Sequence, residues 1–147
     1  MVFLVSQTGT SHSYMLFQRR ALPEYGLPAF WQAITGALEP DETFAEAAIR
    51  EVHEEAAIPL NFVIDTGFQY RFSVKPAWRS LYGPGPSHIE QQVFYAVVPA
   101  NTVPRLSPEH HEWRWCFFQE AEELLTFGGN RECLLAVEQH LASTFQP

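Results

Sequence analysis

Six acids, Asp41, Glu42, Glu46, Glu51, Glu54 and Glu55, crowd a short stretch of the chain in which Arg50 is the only base. At about 100° per residue, Glu51, Glu54 and Glu55 share one arc of a helix, next to the face made by Ala48, Ile49 and Val52. Like charges at three- and four-residue spacing oppose one another by about 0.2–0.5 kcal/mol per pair. No lysine within the helix relieves them. A hard divalent cation, Mg²⁺ or Mn²⁺, would do so, because carboxylate oxygens are its natural ligands and it bridges to phosphate oxygens. The plain alternative is a solvated polar face. Cleavage of a phosphoanhydride asks mainly for charge neutralisation and positioning, so it would need no serine and neither cysteine.

The elements that must hold these residues can be read around them. Pro40-Asp41-Glu42-Thr43 marks a helix start, with Thr43 as cap and Glu46 three residues later. From Phe44 to Ala56 the apolar residues Ala45, Ala48, Ile49, Val52 and Ala56 recur at helical spacing, which predicts one buried stripe. Ahead of the helix, Val2–Ser6 and Tyr14–Arg19 read as a hairpin, and Pro23, Gly26 and Pro28 place a loop before Trp31-Gln32-Ala33-Ile34. Behind it, strands are predicted at 62–64, 68–74, 92–98 and 112–118. A loop follows at 82–87, a short helix at 119–125, and a last helix capped by Asn130 and ending near Ala142. Strands and helices do not alternate regularly, so the order fits a mixed α/β or α+β domain better than a doubly wound one.

A chain of 147 residues with 46% hydrophobic and 18% charged residues has the composition of one globular domain, taken as 1–147. No apolar run approaches the ~18 residues that a bilayer span needs, and the start lacks a secretory pattern, so the expected address is the cytoplasm with no membrane partner. A formal net charge of −8 argues against nucleic acid as partner. Cys116 and Cys133 read as reduced packing residues. Oligomeric state is left open, as is whether an N-terminal element precedes the strand at Val2.

Read as a string, Gly36, five residues, Glu42, seven residues, then Arg50-Glu51-Val52-His53-Glu54-Glu55-Ala56-Ala57-Ile58 resembles the Nudix box. Every fixed position agrees but Ala57, where the family has glycine. That glycine ends the helix in a left-handed conformation, which costs a residue with a Cβ about 1 kcal/mol. The resemblance implies an α/β/α sandwich with a small mixed sheet that cleaves a nucleoside diphosphate linked to another group, using water and divalent ions. It implies that Glu51, Glu54 and Glu55 supply the metal site, with Glu51 also activating water. Arg50 would orient them, Glu42 would support the site, and Gly36 would let a backbone oxygen approach the metal.

Two further stretches bear on the substrate. Phe30-Trp31-Gln32-Ala33-Ile34-Thr35-Gly36 is similar to the approach to the box in bacterial dihydroneopterin triphosphate pyrophosphatases, which also accept dATP. The tail, Leu106-Ser107-Pro108-Glu109-His110 through Trp115 and Leu124 to Glu132, is similar both to those enzymes and to diadenosine tetraphosphate hydrolases. The first stretch favours a nucleoside or pterin triphosphate, split to monophosphate and pyrophosphate. A diadenosine tetraphosphate hydrolase and a non-hydrolytic nucleotide-binding module are the alternatives, and the intact glutamates argue against the latter. A flat heterocycle wants an aromatic face, for which Trp31, Phe72, Trp78 and Tyr82 are available. Gln32 and Thr35 are further binding candidates. Arg19 and Arg20 end a strand whose alternation lets one of them face the site, with Arg20 preferred for phosphate. Glu109 is the expected additional acid, with Glu90 its rival. The adjacent pair His110-His111 makes a poor zinc site without further ligands.

Overall fold

The computed structural model describes residues 1–82 and 88–144, apart from the side chains of Leu81 and Tyr82. Tyr82 as an aromatic candidate and the loop at 82–87 therefore lie outside the described side chains and residues. Strands β1 (Val2–Thr8), β2 (Ser11–Arg19) and β3 (Phe30–Gln32) precede helix α1 (Phe44–Ala56). They are followed by β4 (Ile64–Ser73), a short helix α2 (Arg79–Tyr82), β5 (His88–Val97), β6 (His110–Phe117), α3 (Phe118–Leu124) and α4 (Gly128–Thr144).

These strands form one mixed sheet ordered β3-β2-β1-β5-β4, in which β1 and β5 are parallel and the other pairs antiparallel. The other edge of β2 is taken along most of its length by β6. Alternation along the strands sorts the core into two layers. Phe3, Val5, Tyr14, Leu16, Val93 and Tyr95 point to one face, where Ala121, Cys133, Leu134, Val137 and Leu141 of α3 and α4 cover them. Val2, Leu4, Met15, Phe17, Phe94 and Ala96 point to the other and meet Ala48, Val52 and Ala56 of α1. The result is the α/β/α sandwich. Cys116 and Cys133 are free and buried, packing in the first layer.

The first helix has the expected bounds. Thr43 is its cap, its hydroxyl accepting the Glu46 N–H at 3.1 Å. Ala57 ends it in the left-handed region, φ 54°, while donating its N–H to His53 O at 3.0 Å. Two expectations need correction. The expected strand at 62–64 is not formed as such: Phe62 and Val63 lie before β4, and Ile64 begins the same strand that runs through 68–73, with its register to β5 shifting between Asp65 and Gln69. The last helix begins at Gly128, ahead of Asn130, so Asn130 lies in its first turn instead of capping it. Of the two glycines that suggest a break, Gly129 serves packing, since a Cβ there would stand 2.2 Å from Tyr70 Cζ, whereas a Cβ on Gly128 would have room.

Candidate active site

Arg50 organises the acidic face of α1. Its guanidinium donates from Nε and Nη2 to the two carboxylate oxygens of Glu42 at 2.7 and 3.0 Å, from Nη1 to Glu51 Oε1 at 2.6 Å and to Glu54 Oε2 at 3.2 Å, and from Nη2 to Ala37 O at 2.8 Å. The planar fork explains why arginine suits this position, since it reaches acids on both sides at once. Glu42 is fixed in turn by the Glu39 N–H at 2.8 Å, and the Arg50 contact holds its carboxyl below the usual range. The crowding inferred from spacing is thus partly relieved from within the helix.

Gly36 is required by packing. A Cβ there would fall 2.0 Å from Glu51 Cδ and 2.3 Å from Glu51 Oε1, so the carboxylate lies directly on the glycine backbone. Burial raises the Glu51 carboxyl above its ordinary pKa, against the pull of Arg50. Glu54, with 54% of its side chain exposed, stands at the rim. Glu55 is buried at 6% exposure, and its Oε2 has no hydrogen-bond partner. Burial first, then the charges of Glu109 and Glu51, push its carboxyl up to about 9. The carboxyl faces that of Glu51, and a buried carboxyl beside a second one, with an oxygen left unpaired, is costly unless a cation or proton compensates it.

The loop before β6 carries more polar groups to the same place. The end of α1 leaves carbonyls without helical partners. Arg105 N–H donates to Ala56 O at 2.8 Å and Ser107 N–H to Glu55 O at 3.1 Å, which docks the loop against the helix. One ligand atom each from Glu55, Glu109 and His110 consequently lies within 4.8 Å of the others. His110 is buried, with Nε2 3.2 Å from the Gln32 amide and Nδ1 unpartnered, and burial lowers its pKa to about 4.

Gln32 also lines a cleft of about 270 Å³ with Phe30, Thr35, Tyr70, Phe72, Lys75, Trp78, Phe127 and Asn130 among its walls. Phe127 meets Phe30 and Trp78 edge-on, with ring centroids 5.1 and 6.3 Å apart, and Lys75 Nζ lies 4.7 Å over the Trp78 ring. The acid cluster and the cleft are therefore linked through His110 and Gln32.

Several candidates fall elsewhere. Trp31 is buried in the layer under α3 and α4, with Arg114 stacked at 4.9 Å, so it is a core residue and does not line the cleft. Arg20 is exposed and donates to Pro108 O at 2.9 Å, whereas the arginine turned to the acids is Arg19, 3.8 Å from Glu109. Glu90 is exposed on β5, opposite Arg71 of β4, while Glu109 joins the cluster. Phe72, Trp78, Gln32 and Thr35 do line the cleft. The alternation along β2 leaves Arg19 and Arg20 as candidates, and the structure favours Arg19 over the expected Arg20; His110 enters the cluster singly and not as one of an adjacent pair, and Lys75 and Phe127 carry no signal in the sequence.

The NUDIX domain profile matches residues 1–136. The chain belongs to the Nudix family. Among Nudix relatives, it is 29% identical over 137 residues to the dihydroneopterin triphosphate diphosphatase of Haemophilus influenzae, covering 90% of this chain and 83% of that protein. It is 30% identical over 129 residues to the enzyme of the same name from Escherichia coli K12, covering 85% and 80%. The structure of the E. coli dihydroneopterin triphosphate pyrophosphohydrolase superposes with a TM-score of 0.76 at 27% identity, covering 97% of this chain and 94% of that one. The Nudix assignment accounts for the box residues and makes the chain a Nudix-type pyrophosphohydrolase. Among the described residues, no helix is long and apolar enough to cross a membrane.

Proposed function

We propose that this Nudix enzyme hydrolyses a phosphoanhydride in a nucleoside or pterin triphosphate, giving the monophosphate and pyrophosphate, with Mg²⁺ or Mn²⁺ held by Glu51, Glu54 and Glu55. The observation that carries this reading is the buried Glu55 carboxyl, one oxygen unpartnered, beside Glu51 and one residue from an aromatic cleft. The donor set fits a hard divalent ion, being carboxylates with one buried group short of a counter-charge. Such an ion would neutralise polyphosphate charge as the anhydride breaks.

The chain's own residues do the rest. Arg50 fixes Glu51 and Glu54 in place, so little reorganisation is needed when substrate arrives. Glu51, its pKa raised by burial, is suited to take a proton from the attacking water while the bond to the leaving pyrophosphate opens. The cleft offers aromatic walls at Phe72, Trp78 and Phe127 to a flat heterocycle, and the amides of Gln32 and Asn130 to its edge. Lys75 brings a positive charge to the same walls. The names of the H. influenzae and E. coli relatives favour a triphosphate of this type.

Phosphorus NMR of reactions with dATP, dihydroneopterin triphosphate, other nucleoside triphosphates, diadenosine tetraphosphate and sugar nucleotides tests the reading. A triphosphate should yield monophosphate and pyrophosphate with Mg²⁺ or Mn²⁺, and no product with chelator. Orthophosphate as first product, full turnover in excess EDTA, or diadenosine tetraphosphate as the preferred substrate would overturn it.

A further inference from the structure

Lys75 is the only lysine in a chain of net charge −8, and it stands on the wall of the aromatic cleft. Among the described residues that line the cleft it is the only charged one, and none of them is an acid. Its Nζ lies 4.7 Å over the Trp78 ring and makes no ion pair among the described residues. An ammonium has three N–H donors and no acceptor, so any polar atom that a bound ring turns towards it must carry a lone pair.

Gln32 fixes the opposite polarity. The other polar groups of the cleft are amides and hydroxyls, which can each present a donor or an acceptor and impose no choice on the ring. The amide of Gln32 is not free to turn, because its Nε2 lies 3.2 Å from Nε2 of the buried His110, which accepts there and carries its own proton on Nδ1. The Gln32 oxygen is therefore the group left for the cleft that the residue lines. The acids that would hold the counter-ion of the phosphates lie beyond Gln32, on the His110 side, which leaves Lys75 and its aromatic neighbours to the ring.

Flat rings answer a fixed donor and a fixed acceptor in two ways. In a 6-oxopurine, O6 and N7 are adjacent acceptors and N1 beside them carries a proton. A 4-oxopteridine repeats the pattern with O4, N5 and N3–H. A 6-aminopurine reverses it, setting an amino donor against the ammonium and the N1 lone pair against the amide oxygen. We propose that Lys75 and Gln32 make the cleft select a 6-oxopurine or 4-oxopteridine ring over a 6-aminopurine. This rests on the triphosphate reading given above and names the class of ring within it.

Steady-state kinetics with dITP and dATP isolate the choice, because the two differ only at position 6 and in the proton on N1. Wild type should prefer dITP in kcat/KM by on the order of 10-fold. Lys75 is exposed, so the fold should tolerate its replacement. Lys75→Met removes the donors at similar length and should abolish most of the preference, losing dITP turnover far more than dATP turnover, whereas Lys75→Arg should keep it. The acceptor at Gln32 is read with 1-methyl-dGTP, which retains O6 and N7 without the ring proton and should be turned over less well than dGTP. Dihydroneopterin triphosphate set beside dGTP separates pteridine from purine, the ring with the higher kcat/KM being the one that should lose most in Lys75→Met. Equal kcat/KM for dITP and dATP, a preference that survives Lys75→Met, undiminished turnover of 1-methyl-dGTP, or a uniform loss on every triphosphate, as a phosphate contact would give, would overturn the proposal. If no triphosphate is turned over, the reaction proposed above fails, and calorimetry of dIMP and dAMP on the metal-free protein still reads the ring: tighter dIMP supports the selection, and equal or absent binding overturns it.

Discussion

The acidic face of α1 and the aromatic cleft are linked through His110, which lies by Glu55, and Gln32, which lines the cleft, yet they are built in opposite ways. The first is a set of positions within six residues of one helix, Arg50, Glu51, Glu54 and Glu55, braced by Glu42 and seated on Gly36. Its geometry follows from a local period and a single guanidinium. The second draws Phe30 from β3, Phe72 from the end of β4, Lys75 and Trp78 from the cap and turn of the short helix that follows, Phe127 from just before α4 and Asn130 from its first turn. Only the tertiary fold makes these neighbours. A charged reaction centre tolerates little displacement, which suits a rigid helix, whereas a cleft for a flat ring is defined by area and can be supplied by loops.

If that division holds, a small change under the acids should cost more than a large change in the cleft. Gly36→Ala places a methyl 2.0 Å from Glu51 Cδ and must move the carboxylate. We expect turnover to fall on the order of 10²-fold with the fold retained, which circular dichroism and steady-state kinetics would check. Unaltered kcat would show that Glu51 does not need its place on Gly36. Trp78→Ala removes a whole ring from the cleft, and we expect KM for the triphosphate to rise by roughly 10-fold with kcat nearly preserved. A loss confined to kcat would instead put Trp78 with the reaction centre.

The two regions also differ in how they respond to pH. Burial pushes the Glu55 carboxyl from 4.5 up to about 9, so the folded protein holds a proton that the unfolded chain has already lost. That contribution to stability is complete below about pH 4.5 and is lost as pH rises through about 9. His110, lowered from 6.5 to about 4, acts with the opposite sign, but its effect is complete above about 6.5. Without divalent ion, wild type should therefore lose several degrees of Tm relative to Glu55→Gln between about pH 6.5 and 9, and saturating Mn²⁺ should abolish the difference. Melts that differ by a constant amount across this range would contradict the burial of an uncompensated carboxyl. Ala57→Gly tests the far end of the helix with the smallest effect, a gain of about 0.5–1 kcal/mol in chemical denaturation, because Ala57 sits at φ 54°. No gain would mean that the added freedom of glycine in the unfolded chain cancels the relief.

What could be read in advance follows the same division. Thr43, the apolar stripe and the spacing of Glu51, Glu54 and Glu55 are local signals, and α1 follows them at Thr43, Ala48, Val52 and Ala56, although Ala47 is buried and Ile49 only half-buried. The start of α4 is hidden in the sequence because Gly128-Gly129 resembles a break, whereas Gly129 is needed by Tyr70, 59 positions earlier in the chain. Trp31 reads as a binding face because an aromatic type does not reveal which side of a strand it occupies until the register of β2 and β3 is known. His110 reads from the sequence only as one of an adjacent pair, since its neighbours, Glu55 and Gln32, come to it only when the loop at 105–107 docks on the last carbonyls of α1.

The central claim is that the arc of glutamates on α1 holds the ion required for hydrolysis, and Glu54→Gln tests it most directly. The change keeps size and shape and sits at an exposed rim position. It removes repulsion from Glu51 and Glu55, but also the 3.2 Å contact with Arg50, so the metal-free Tm should be nearly unchanged. Measured on that one variant, the Mg²⁺- or Mn²⁺-induced rise in Tm should shrink and turnover of the triphosphate should fall on the order of 10²-fold or more. Near-normal turnover with an undiminished metal-induced shift would contradict the account.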